Sequence, residues 1–318
     1  MINNMLKCNL QPLLTVVTTL IMLFTTVEIK SQVTPKFRGM TFDEMAKPLL
    51  MATEAYKEAE KDFEEYYVKA MTELETNNPN YKLASYYYDK CIELNTRFKG
   101  TLFNWGELLH QKGICLNYIK DIEANKFFIT AAEWHIKQKE YSNAIKNLDL
   151  YLDNQYDGVV MFHRARCWNI IGNKQMSMKD YETIIDKGCS NKTILAMSYN
   201  NRAYEFVKLQ KYSEALPLVN KAIELDNTVS FIWDTRGELY YHLGEYEKCI
   251  QDMDKAISIT EGETAYSNSY YYRGLAKLKL QKKSEARKDL KKAVKYGNID
   301  AQKYIEQYLP SKERTVYS

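Results

Sequence analysis

Four histidines, a set of scattered cysteines and some paired carboxylates are the residues with which this chain would do chemistry. His110, His135, His163 and His242 stand apart, with no His-x-x-x-His pair to seat a metal on one helix face. Cys91, Cys115, Cys167, Cys189 and Cys249 show no C-x-x-C spacing, so they read as small apolar side chains rather than metal ligands or a disulfide framework. Glu64-Glu65 sits in a strongly charged stretch and reads as a solvated helix face. The stretch DNQYDG, Asp153–Gly158, has the acidic spacing of a calcium loop, but Arg164 stands where the bidentate Glu is required, so a turn between helices is expected. There is no Walker loop, no G-x-G-x-x-G and no G-x-S-x-G. The expectation is no enzyme activity, no cofactor and no metal.

One charged pattern is regular. Arg164, Arg202, Arg236 and Arg273 each precede a small residue, and Asp180, Asp252 and Asp289 follow three of them at an interval of 16 residues. The Arg202 copy has Leu218 at that place. The pairs Arg164/Asp180, Arg236/Asp252 and Arg273/Asp289 are read as structural ion pairs between consecutive helices. A basic ladder for an acidic ligand is the competing reading.

The elements that position these residues repeat. Ala203 to Gly237, Tyr212 to Tyr246, Ala215 to Cys249 and Ala222 to Ala256 are all 34 residues apart. A further copy follows after a three-residue insertion, with Gly274, Ala286 and Ala293 in register. Earlier copies carry Ala165, Gly172 and Tyr181, and Ala132, Tyr141 and Ala144. Only 12 Gly and 6 Pro in 318 residues favour long regular elements over a turn-rich β fold.

This pattern resembles the tetratricopeptide repeat, whose unit is an antiparallel helix pair. The copy with Trp233, Gly237, Tyr240, Gly244, Tyr246, Cys249 and Ala256 carries the resemblance best, with Cys in place of the first helix-B Ala. The resemblance covers about 125–296, and more loosely 81–124. It implies an all-α fold, a right-handed superhelix of antiparallel pairs. In that picture Gly237 faces Cys249 where helix A crosses helix B, and Pro217 falls near a helix start, where its missing N–H costs least.

Around the repeats, the reading assigns 1–31 to a signal peptide and 32–40 to a linker. Residues 41–97 form an N-terminal helical pair, 98–309 the repeat domain and 310–318 a flexible tail. Leu13–Val27 is an uncharged run of 15 residues after Lys7, which suits a signal h-region and is short for a membrane span of about 20. Thr41 with Glu44 reads as a capping box, and Met40 with Met45 as its hydrophobic staple. A long helix is expected over roughly 42–76, a partner over about 81–94 and a capping helix over about 299–309. The stretch 100–124 is helical, with Gly113 expected to break it. Export to a bacterial periplasm or cell surface follows, the alternative being a secreted or signal-anchored protein.

A net charge of +3, from Lys+Arg 44 against Asp+Glu 41, argues against a nucleic-acid partner. Charge is nonetheless uneven: residues 43–78 hold ten acids and four lysines, and 277–295 hold nine basic residues and two acids. Weak self-association through these segments is one expectation, contact with anionic lipid or polysaccharide another, and a signal anchor left uncleaved is a further route to a membrane. The family resemblance implies a binding scaffold that takes a peptide or protein segment in a concave groove. Its groove positions transfer to Phe162, Arg166, Asn169, Asn200, Tyr204, Lys208, Asp234, Glu238, Tyr241, His242, Tyr271 and Lys279. The alternative is a structural subunit of a cell-envelope complex, held by convex faces and charged ends.

Overall fold

The computed structural model describes residues 42–98, 102–153, 155–260 and 267–308, with side chains described between 53 and 307. The expected signal peptide, linker and tail lie outside the described residues, as do the side chains of the Thr41/Glu44 box and the Met40/Met45 staple. Fourteen helices and no strand occur among the described residues. The helices are α1 (Phe42–Leu74), α2 (Tyr81–Arg97), α3 (Trp105–Tyr118), α4 (Ala124–Lys137), α5 (Tyr141–Leu152), α6 (Gly158–Ile170) and α7 (Lys174–Lys187). They continue with α8 (Lys192–Lys208), α9 (Tyr212–Leu225), α10 (Ser230–His242), α11 (Tyr246–Ile259), α12 (Ser267–Lys279), α13 (Lys283–Lys295) and α14 (Ile299–Tyr308).

The chain divides between residues 154 and 155 into two compact units. In the first, α1 packs on α2, α2 on α3, α3 on α4 and α4 on α5. In the second, α6/α7, α8/α9, α10/α11 and α12/α13 form antiparallel pairs, and α14 packs on α13. The first helices of these pairs (the A helices α6, α8, α10 and α12) also touch one another in succession. The A row is therefore the tighter, inner row of this unit.

Local chemistry sets the helix limits. Asn80, Asn104, Asp157, Asn173 and Asn191 cap α2, α3, α6, α7 and α8, each side-chain oxygen accepting from backbone N–H groups of the first turn. Asp157 of the DNQYDG stretch is thus a helix cap. The A helices end in one recurring turn. Gly244 N–H donates to Tyr241 O at 3.1 Å and Glu245 N–H to Tyr240 O at 2.8 Å, with Gly244 at φ +79°. The same two bonds close the turns at Gly172, Gln210 and Gln281, and these are Schellman motifs. Gln210 and Gln281 adopt φ of 58° and 62° without being glycine.

Three expectations are corrected. Gly113 does not break its stretch: α3 runs unbroken from Trp105 to Tyr118. A Cβ at Gly113 would stand 2.7 Å from the Phe128 ring, so this glycine serves the close approach of α4. Gly237 does not face Cys249. A Cβ there would meet Met253 at 2.7 Å, while the Cys249 thiol reaches Tyr272 O of α12 at 3.8 Å. The small residue of helix A admits its own helix B, and Cys249 admits the next helix A. Pro217 is the sixth residue of α9, beyond the four N–H groups that lack intrahelical partners. It leaves the carbonyl of Ser213, an exposed residue, without its usual helical donor.

Four of the described cysteines are buried and Cys189 is half-buried; all five are free thiols. Burial pushes the Cys91 and Cys249 thiols up to about 12, which leaves them neutral packing groups.

Candidate protein-interaction face

The inner row of the second unit is held by ion pairs on its flank. Arg164 Nε and Nη2 donate to Asp180 at 2.9 and 2.7 Å. Arg236 does the same to Asp252 at 2.7 and 2.9 Å, and Arg273 to Asp289 at 2.9 and 2.7 Å. These bidentate forks fix how each A helix lies on its B helix. A third guanidinium nitrogen reaches back to the preceding pair. Arg236 Nη1 donates to Asn220 of α9 at 3.0 Å, and Arg273 Nη1 to Asp254 of α11 at 2.5 Å. Arg202, whose copy has Leu218, pairs with Glu182 of α7 at 2.6 Å. All four arginines are thus engaged by carboxylates of the chain. Burial opposes ionisation of Asp289, but hydrogen bonds from Arg273 and Lys277 outweigh it and hold the carboxyl below its ordinary value.

The groove positions separate into three groups. Phe162 and Asn200 are each only 4% exposed. Phe162 packs on Tyr181 with ring centroids 5.7 Å apart. Asn200 Oδ1 is buried without a hydrogen-bond partner. Neither side chain forms part of an open surface, which corrects their assignment to it: both point into the packing between helices. Asp234 and Glu238 form the second group. Asp234 accepts from the Ser269 hydroxyl at 2.5 Å, and Glu238 accepts from the Tyr272 hydroxyl at 2.7 Å. Both bonds join α10 to α12. Burial, with Glu238 nearby, raises the Asp234 carboxyl to about 6 despite the Ser269 bond.

The third group is accessible. Tyr204 is exposed, with Lys208 Nζ 4.3 Å from its ring centroid and 2.8 Å from Glu205. His242 stacks on Tyr212 at 5.0 Å, and its Nε2 lies 3.9 Å from Glu238. Tyr241 lies 5.6 Å from Tyr272 and 5.8 Å from Tyr246, ring to ring. Tyr271 continues the row 5.3 Å beyond Tyr272. Burial raises the Tyr241 hydroxyl to about 12 and raises Tyr271 as well, so both stay neutral donors. Arg166, Asn169 and Lys279 are exposed but stand apart from this aromatic cluster, on α6 and at the end of α12.

Ser269, Tyr272 and Tyr212 were missed from sequence. The three-residue insertion before α12 sets Gly274 37 residues after Gly237, yet the cross-helix bonds join Asp234 to Ser269 and Glu238 to Tyr272, 35 and 34 apart. The run Tyr270-Tyr271-Tyr272 was the available signal. In the first unit, Lys112 was also missed. It is buried and donates to Ser85 Oγ at 2.6 Å and Asp89 Oδ2 at 2.7 Å.

Comparison with known proteins bears on the repeats that carry these residues. Tetratricopeptide repeat family models match residues 196–228 and 230–262, which are α8/α9 and α10/α11. RNA polymerase II-associated protein 3 of Rattus norvegicus is 28% identical over 125 residues, covering 38% of this chain and 18% of that protein. Small glutamine-rich tetratricopeptide repeat-containing protein 2 of Saccharomyces cerevisiae is 28% identical over 133 residues, covering 41% of this chain and 38% of that one. The chain thus spans well under two thirds of the length of either relative. Among solved structures, MamA residues 41-end from Desulfovibrio magneticus RS-1 aligns with TM-score 0.45 and 14% identity, over 54% of this chain and 94% of that one. The chain carries tetratricopeptide repeats at residues 196–262, repeats of the kind that mediate contacts between proteins.

Proposed function

We propose that the inner face of the second unit receives an extended segment of a protein partner, and that the chain is a non-enzymatic adaptor exported from its cell of origin. The observation that carries this reading is the accessible row Tyr204, His242, Tyr241 and Tyr271, set on two matched repeats and their neighbour. Rigid aromatic rings with polar tips bury large contact area at low entropic cost, and Lys208 beside Tyr204 adds a polar contact at the rim. Neutral tyrosine hydroxyls supply donors to a partner's carbonyl groups.

A photo-crosslinking residue at Tyr204 or Tyr271, compared with one at exposed Lys291 on α13, tests the face in the native envelope fraction. A discrete adduct from the inner positions, absent at Lys291 and lost with Tyr241→Ala, is expected. Equal adducts from the outer position would mean assembly through other faces. Export is tested separately: the amino terminus of the mature protein is expected at Gln32, and a mature chain that retains Met1–Ser31 would refute cleavage.

A further inference from the structure

The A–B turns of the second unit carry a feature that the inner face does not use. The residue before each left-handed position is aliphatic: Ile171, Leu209, Leu243 and Leu280. Ile170, Ile171, Leu209 and Leu243 are 53, 43, 63 and 41% exposed. The Schellman bonds are made by backbone, so they do not require an aliphatic side chain facing solvent. Because each pair reverses the chain once, the four turns lie at the same end of the stacked helices. Their tips form one row along one edge of the unit.

Lysines flank this row. Lys174, Lys211, Lys279, Lys282 and Lys283 are exposed, and none lies within ion-pair distance of a carboxylate among the described residues. The acids of the edge are fewer. Glu205 is paired with Lys208 and Glu245 with Lys248, and Glu285 lies 3.5 Å from Lys277, leaving Glu247 and Glu214, which accepts from the Ser213 hydroxyl and lies in the field of Lys211. The tips recur once per helix pair along the edge rather than converging on one point, so they do not suit a compact ligand. An aliphatic row beside exposed ammonium groups that no carboxylate contacts directly matches a plane that is anionic at its surface and apolar just beneath. Lysine stems reach across such a boundary while the charge stays at its polar level.

We propose that the A–B turn edge of the second unit rests on an anionic lipid surface, with Ile171, Leu209 and Leu243 entering the acyl boundary and Lys211, Lys282 and Lys283 at the phosphates. This contact differs from the inner face and does not depend on it.

The test is hydrogen exchange on the full chain with vesicles of phosphatidylcholine and phosphatidylglycerol at about 7:3, compared with phosphatidylcholine alone. Amides of the turns at 205–213, 239–247 and 277–285 are expected to exchange at least about threefold more slowly on anionic vesicles only. The opposite-edge turns at 188–191 and 226–229 should not change. Leu209→Ser/Leu243→Ser and Lys211→Glu/Lys282→Glu/Lys283→Glu should each remove the protection while circular dichroism stays unchanged. The apolar run Leu13–Val27 is common to every variant, so sedimentation with vesicles alone decides nothing in favour. Unchanged exchange at these turns, no association with anionic vesicles, or equal protection on neutral vesicles would overturn the proposal. So would protection by polyglutamate in solution but not by vesicles, which would mean an acidic protein partner.

Discussion

At the residue scale, single positions carry conflicts between local geometry and packing. Gln210 and Gln281 occupy the left-handed region that Gly172 and Gly244 occupy in equivalent turns. A side chain there costs roughly 1 kcal/mol. Gln210→Gly is therefore expected to raise stability by about 0.5–1 kcal/mol, read from urea unfolding, and Gly244→Ala to lower it by about as much. Asp234 shows a different conflict. Its carboxyl is raised to about 6 in the fold, so the folded state binds the proton more tightly than the unfolded chain. Stability from this group is fully present below the ordinary carboxylate range and is lost as pH rises through about 6. Asp234→Asn keeps an acceptor for Ser269 and is expected to stabilise the unit at pH 7 by roughly 1–3 kcal/mol, with little effect near pH 4. An equal effect at both values would refute burial as the cause. Asp289 has the opposite sign: its lowered carboxyl contributes stability above the ordinary carboxylate range, lost as pH falls through the lowered value.

At the element scale, two glycines differ in what surrounds them. A Cβ at Gly274 would stand 2.9 Å from Leu290 Cγ and 3.3 Å from the Ala286 carbonyl, neither of which yields easily. At Gly237 the nearest atom is the terminal methyl of Met253. Gly274→Ala is expected to cost about 1–3 kcal/mol through overpacking. Gly237→Ala should cost under about 1 kcal/mol, because the thioether bends away and alanine favours the helix. Thermal unfolding of the two variants would separate them, and equal losses would contradict this account of the A–B crossing. The Arg–Asp forks act at the same scale. Asp252→Ala is expected to cost about 2–4 kcal/mol, because it strips the bidentate acceptor from a largely buried Arg236. Arg236→Lys should cost only part of that, since a lysine keeps the charge beside Asp252 but cannot span Asp252 and Asn220 together.

At the scale of the whole molecule, charge is separated along the chain. Glu54, Glu58, Asp62 and Glu64 are exposed on α1, and Lys288, Lys291, Lys292 and Lys295 are exposed on α13. If copies associate through these faces, sedimentation velocity should show larger species at about 20 mM salt that vanish at about 500 mM, where the Debye length is only a few ångströms. Association insensitive to salt would exclude that route. The helices, the 34-residue period and the 16-residue Arg–Asp interval were legible in the sequence, because each depends on the pitch of one helix and the length of one turn. Which inner residues stay open was not. Phe162 and Asn200 occupy positions equivalent to half-buried Tyr271, yet neighbouring helices close over them. Met253 rather than Cys249 meets Gly237, and the cross-helix bonds of Asp234 and Glu238 select Ser269 and Tyr272. By itself, the sequence determined that the chain is helical and which residue types recur at which interval. The tertiary structure alone decided which side chains meet between pairs, because that depends on how far one pair slides and turns against the next, and a three-residue insertion shifts that phase without changing the repeat.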